Sequence, residues 1–225
     1  MERRTLAFAL AAAIALPAAC QSLCTSERQA QPVAVLERFV NADCETCWSD
    51  PATPKAGARE LALDWIVPGR KGDDAPLSMA QTRDAVARLA ALHKAAPDAA
   101  EAVRTARQPA RAQLRIAQGE PVNDYIGTSI QQKPAAGRGW QAWLLLVEQL
   151  PAGTEGSPVA RNLVRNVFQP DWDAAPFQRK GARWYEARPM YIPQGTHRDR
   201  LRLVALLHDA RGRLVAAVQS HCEEK

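Results

Sequence analysis

Beyond its first twenty residues the chain has no apolar run near the roughly 20 residues that a helix needs to cross a bilayer, so an integral helical membrane protein is not expected. Histidine is scarce, at four in 225 residues. There is no nucleophile elbow, phosphate-binding glycine loop or paired-carboxylate motif, so acyl-transfer and phosphoryl-transfer chemistry have no recognisable seat. Basic residues are not clustered: the formal charge of +5 comes mainly from arginines scattered among acids, and nucleic acid is not an expected partner. Internal repeats and low-complexity linkers are absent. Covalent haem is set aside because Trp48 stands where that motif needs histidine. The sequence calls for no cofactor.

What is present starts with a targeting segment. Glu2, Arg3 and Arg4 precede an apolar run from Leu6 to Leu16, and Pro17-Ala18-Ala19-Cys20 closes it with small residues. This is the tripartite layout of a secretory signal over residues 1–20. Two ways of processing stay open: lipidation of Cys20, against which Pro17 is an imperfect match, or cleavage by ordinary signal peptidase nearby. The mature chain is therefore expected to be exported, and to be periplasmic or tethered by lipid to the membrane.

Five cysteines fit an oxidising compartment. With Cys20 removed or lipidated, Cys24, Cys44, Cys47 and Cys222 allow three pairings. Cys44 and Cys47 are natural partners, which leaves Cys24 and Cys222 to tie the termini together. A loop of that length is worth up to about 5 kcal/mol in the chain-entropy model.

A polar lead over 21–31 is followed by Val33–Val40, rich in branched residues and bounded by Pro32 and Asn41, which reads as a buried strand. The dithiol comes next, then Trp48-Ser49-Asp50-Pro51 as a short helix or turn. Leu61–Val67 reads as a second strand. A helix is expected from Ser78, with Val86, Leu89, Ala90 and His93 at inward spacing and Arg83, Asp84, Arg88 and Lys94 facing elsewhere. Pro97-Asp98 opens an alanine-rich stretch read as another helix to about Arg107. Beyond Arg111 the texture changes. Gln113–Ala117, Tyr125–Gln131, Trp140–Leu150, Ala160–Phe168, Trp184–Ile192, Arg200–His208 and Arg213–Ser220 read as strands separated by turn signals, the last two as a hairpin. Short strands at this spacing argue for an antiparallel β-sandwich over 111–225.

Cys44-Glu45-Thr46-Cys47 is the candidate chemical site, with Cys44 attacking and Cys47 resolving. Glu45 opposes thiolate formation, Trp48 is placed to cover the disulfide, and Asp64 reads either as a proton acceptor beside the dithiol or as a plain strand-end acid. Cys44 and Cys47 with His221 and Cys222 form a weaker zinc alternative, since zinc motifs space their second pair and these two are adjacent. His93, His197 and His208 show no catalytic setting, and Asp73-Asp74 and Glu223-Glu224 read as surface charge.

Pro32-Val33-Ala34-Val35-Leu36-Glu37-Arg38-Phe39 followed by Cys44-Glu45-Thr46-Cys47 resembles the opening of the secreted bacterial thioredoxin-like family of unknown function. Asp64-Trp65, Gly72-Asp73 and Thr82-Arg83 resemble its next segment. Trp143–Val147, Ala160–Val167 and the final strand pair resemble its C-terminal domain. The resemblance implies a divergent or truncated thioredoxin-like domain over 32–110 and a sandwich domain after it. It implies thiol–disulfide exchange with exported proteins or an envelope redox partner; the alternative is a non-catalytic binding or assembly module whose cysteines are staples. A Thr-Pro before a strand, where such folds carry a cis-proline, is missing, and Glu120-Pro121-Val122 belongs to the expected sandwich.

Overall fold

The computed structural model describes residues 24–108, 110–134, 138–173 and 179–222. The expected signal segment, Cys20 and Glu223-Glu224 lie outside them. Among the described residues, thirteen strands form two sheets. They are β1 (Cys24–Thr25), β2 (Ala34–Asn41), β3 (Glu60–Val67), β4 (Ala100–Ala106), β5 (Gln113–Val122), β6 (Tyr125–Lys133), β7 (Gln141–Leu150), β8 (Arg161–Phe168), β9 (Arg179–Lys180), β10 (Arg183–Tyr191), β11 (Leu201–His208), β12 (Leu214–Gln219) and β13 (His221–Cys222). The described residues also form two α-helices, α1 (Glu45–Trp48) and α2 (Arg83–Ala91). All seven strands expected beyond Arg111 are present, and β11 and β12 form the expected antiparallel hairpin.

The sheets do not divide at residue 111. One has the order β13-β1-β5-β6-β10-β9, and the other β12-β11-β7-β8-β3-β2-β4, so the larger sheet takes strands from both sides of that position. It is mixed: β2 and β3 are parallel, β3 and β8 touch in parallel at Asp64 and Leu163, and the remaining neighbours are antiparallel. A separate N-terminal thioredoxin-like layer is thus not what the chain builds. Strand β8 completes the open side of β3, where the expectation placed a domain edge.

The alternation of side chains explains what covers each face. Leu63 and Trp65 of β3, Trp143 and Leu145 of β7 and Val204 and Leu206 of β11 point to one side, where α2 lays Ala85 and Leu89 on them. On the opposite side, Leu144, Leu146, Leu203 and Ala205 pack against Leu114, Ile116, Ile126 and Ile130 of the six-stranded sheet, forming the sandwich core. That sheet covers only part of the face. Over β2, β3 and the start of β8, the cover comes from the connection carrying the dithiol, through Ala42 and Trp48, and from the loop after β3, through Ala75, packed on Val40, Ile66 and Leu163.

Two local expectations are corrected. Residues 100–106 form a strand rather than a helix, pairing antiparallel with β2 from Val40↔Ala100 to Ala34↔Ala106. Its residues alternate between exposed and half-buried, as on a sheet edge. Alanine's helical preference is weak beside the ladder that β2 gains. In α2, capped by Thr82 Oγ1 accepting from Asp84 N–H, Val86 is exposed and Arg88 is buried. The inward stripe is Ala85, Arg88 and Leu89 because a buried carboxylate on β2 lies beneath the helix.

Candidate functional site

The dithiol sits at the carboxyl end of β2, held from both sides. Ala42 N–H donates to Val67 O, Cys44 N–H to Asn41 O and Asp43 N–H to Asn41 Oδ1. The Asp43 carboxylate accepts Arg70 N–H at 2.8 Å and Lys71 N–H at 3.2 Å, fixing the turn after β3 beside the cysteines. Gly69 is required there, since a β-carbon would run into the Asp43 carboxylate. Cys44 and Cys47 are both half-buried and are joined by a disulfide. Cys44 stands at the N-cap of α1, a helix of four residues with exposed Glu45 in it. A single turn contributes little dipole, and Glu45 works against it.

Trp48 does not lie over the solvent side of the disulfide; it turns inward. Its indole N–H donates to Glu155 O at 2.8 Å, and its ring lies under the Arg161 guanidinium at 4.1 Å. Arg161 donates to Trp48 O, Ser157 Oγ and Asp64 Oδ1, each at 2.7 Å. Arg38 donates to Asp64 Oδ2 at 2.8 Å and to Pro54 O and Ala160 O at 3.0 Å each. Asn162 N–H adds a third donor to Asp64 at 3.1 Å. Asp64 is fully buried and accepts three hydrogen bonds, two of them from guanidiniums, so it anchors the connection that carries the dithiol. Burial lowers the basicity of Arg161, Asp64 raises it and the nearby Arg38 charge lowers it again. Two buried guanidiniums share one carboxylate, and a cavity of about 210 Å³ is lined by both of them and by Cys47.

Glu37, next to Arg38 in β2, points to the other face and meets Arg88 of α2 through two bonds of 2.8 and 2.7 Å. Trp65 Nε1–H donates to Glu37 at 3.1 Å, and His208 Nε2 lies 3.4 Å from Arg88 Nη2. Burial, then the Arg88 charge, push the His208 imidazole down to about 3, with Asp209 acting in the opposite direction. An unfolded histidine binds its proton near pH 6.5. The His208 contribution to stability is therefore complete above about pH 6.5 and is lost as pH falls towards 3. His208→Gln is expected to flatten the fall of the urea midpoint across that window by up to one proton; an unaltered slope would assign the proton uptake elsewhere.

A third cluster joins Glu148, His197 and Glu155, whose ligand atoms lie within 4.8 Å of one another. Burial raises the Glu148 carboxyl, but the His197 N–H and the Arg165 charge more than offset it, and the carboxyl titrates below its ordinary range. Arg165 already holds Glu148 at 2.6 Å and Arg200 holds Glu155 at 2.8 Å, so both acids have cations.

The structure brings Cys44, Cys47, Glu45 and Trp48 together, with Asp64 behind them through Arg161. Cys24 and Cys222 face each other across β1 and β13 and form the second disulfide, as expected. The zinc alternative does not assemble, because Cys222 is bonded to Cys24 and Cys44 to Cys47. Asp43, Arg38, Ser157 and Arg161 were not singled out from sequence, although the Glu37-Arg38 pair inside an apolar strand was a usable signal. The chain matches no known family model, no curated protein and no solved structure.

Proposed function

We propose that the protein is an exported thiol–disulfide exchange protein of the cell envelope, acting on other exported proteins through Cys44 and Cys47. The observation that carries this reading is the half-buried Cys44–Cys47 pair beside a cavity whose wall includes Cys47, Arg38 and Arg161. Cationic neighbours favour thiolate. Two guanidiniums against one Asp64 leave excess positive charge near Cys47, supplying what a single-turn helix does not. Export rests on the N-terminal sequence, and two disulfides suit an oxidising compartment. A divergent thioredoxin-like origin belongs to the same proposal, supported by β2 leading directly into the dithiol and by the parallel β2–β3 pair.

In the reducing direction, Cys44 thiolate attacks one sulfur of a client disulfide, and the other client sulfur leaves as thiolate and takes a proton from water. Cys47 thiolate then attacks Cys44 Sγ, releasing the second client thiolate and closing the Cys44–Cys47 bond. The client gains two electrons, and a dithiol partner in the envelope must restore the pair. The reverse sequence oxidises a client.

A structural staple is the competing reading, favoured by the four-residue α1 and by Glu45 within it. Redox titration of the Cys44–Cys47 pair decides between them. The expected potential lies between about −270 and −120 mV, the range of known exchange proteins, and a value below about −300 mV would assign the bond to structure. Cys47→Ser is expected to accumulate mixed disulfides with exported proteins, and the Cys44→Ser/Cys47→Ser variant none.

A further inference from the structure

We propose that a second cavity, sharing Arg38 and Arg161 with the one beside Cys47, binds a small organic acid through its carboxylate. This cavity has a volume of about 600 Å³, within the range of small-molecule sites. It lies between residues 55–62 and 149–162 and extends to Gln219. Leu61, Leu150, Pro151, Pro158 and Val159 make an apolar wall, while Arg38, Arg161 and Lys55 bring cations to it.

The charges do not balance. Glu60 is the acid lining the cavity, and it is matched by Arg104 outside it at 2.9 Å. Asp64, behind the wall, matches one of the two arginines. Two buried guanidiniums therefore share the single Asp64 carboxylate, leaving net positive charge at the wall, and the exposed Lys55 ammonium has no ion pair among the described residues. Arg38 also has an unmet donor: its Nε–H is buried and has no hydrogen-bond partner among the described residues. An unmet buried donor is costly, and a carboxylate is the planar acceptor that a guanidinium fits. The apolar wall selects a hydrocarbon body over a bare inorganic anion. A monocarboxylate with a short aliphatic tail satisfies both features, its head towards Arg38 and Lys55 and its tail along Leu150 and Pro158.

The test is calorimetric titration of the full chain with hexanoate, acetate and inorganic phosphate, at an ionic strength held constant with sodium chloride. Hexanoate is expected to bind saturably with one site, at least about tenfold tighter than acetate because the tail leaves water. Lys55→Glu, an exposed substitution that spares the fold, is expected to weaken hexanoate at least about tenfold by replacing a charge-assisted contact with a repulsive one. Absence of saturable hexanoate binding, equal affinity in Lys55→Glu, or phosphate binding as tight as hexanoate would each overturn the proposal. The same affinity is expected when the dithiol is reduced, so this result and the redox potential of Cys44–Cys47 stand or fall separately.

Discussion

Asp64→Asn is expected to lower the unfolding free energy by about 3–5 kcal/mol, the cost of leaving buried charge without its partner. The substitution keeps the shape of the side chain and removes one negative charge. Arg38 and Arg161, 3% and 2% exposed, would then face each other with no acid between them. An amide also offers two hydrogens where Asp64 accepts from Arg38, Arg161 and Asn162 N–H, so at least one of these donors loses its acceptor. The damage should begin at the dithiol, because the same guanidiniums hold Trp48 O and Pro54 O. Urea unfolding followed by circular dichroism measures the loss, and hydrogen exchange over 45–54 should accelerate first. Asp50→Asn, at an exposed position, is the control and should stay within about 0.5 kcal/mol. A loss below about 1 kcal/mol for Asp64→Asn would mean that water reaches the network and screens it.

The second large effect is expected at Glu37. Glu37→Leu removes the acid that α2 is docked on and leaves the buried Arg88 guanidinium with the Trp143 ring and His208, itself pushed towards the neutral form, as its neighbours. It also orphans the Trp65 indole N–H. A loss of about 3–5 kcal/mol is again expected. Arg88→Met should cost a similar amount, since among the described residues it leaves the buried Glu37 carboxyl bonded only by Trp65. Combined, the two substitutions replace an ion pair by apolar groups of similar volume, and the double variant should be more stable than the sum of the singles predicts by at least about 2 kcal/mol. Additive losses would show that the pair contributes nothing beyond the packing of each side chain.

Both effects come from one dipeptide. Glu37 and Arg38 are adjacent in a strand that is otherwise apolar, and neighbouring strand residues point to opposite faces. A strand buried on both faces cannot hold two charges without a partner on each side. From sequence alone, the presence of two partners was legible and their identities were not. Helical spacing alone turns Arg88 outward, and the sequence reads Asp64 either as a proton acceptor or as a plain strand-end acid. Arg161 lies 97 residues from Asp64, and no local pattern connects them.

The secondary structure was far more legible than the topology. Period-two alternation, branched residues and turn signals located the seven strands after residue 111, because those signals are local and the strands are half-buried in a regular way. The strand Ala100–Ala106 escaped because its residues are small and its alternation is weak. Only its pairing with β2 makes it a strand. The expected boundary at 111 came from a change in texture, helix-bearing before and strand-rich after, whereas a hydrogen-bonded ladder is indifferent to such a change. Strand β8 joins β3 across it.

By itself, the sequence determined the strands beyond residue 111 and the pairing of Cys24 with Cys222 and Cys44 with Cys47. Each follows from composition, short-range period or simple elimination among few cysteines. Only the tertiary structure decided that a single mixed sheet spans the chain, that the dithiol connection covers one end of it, and that two buried arginines share Asp64 behind Cys47. Those depend on which distant segments become neighbours. The free energy that selects them is the joint burial of apolar faces and the matching of buried charge, neither of which is encoded in any one stretch of residues.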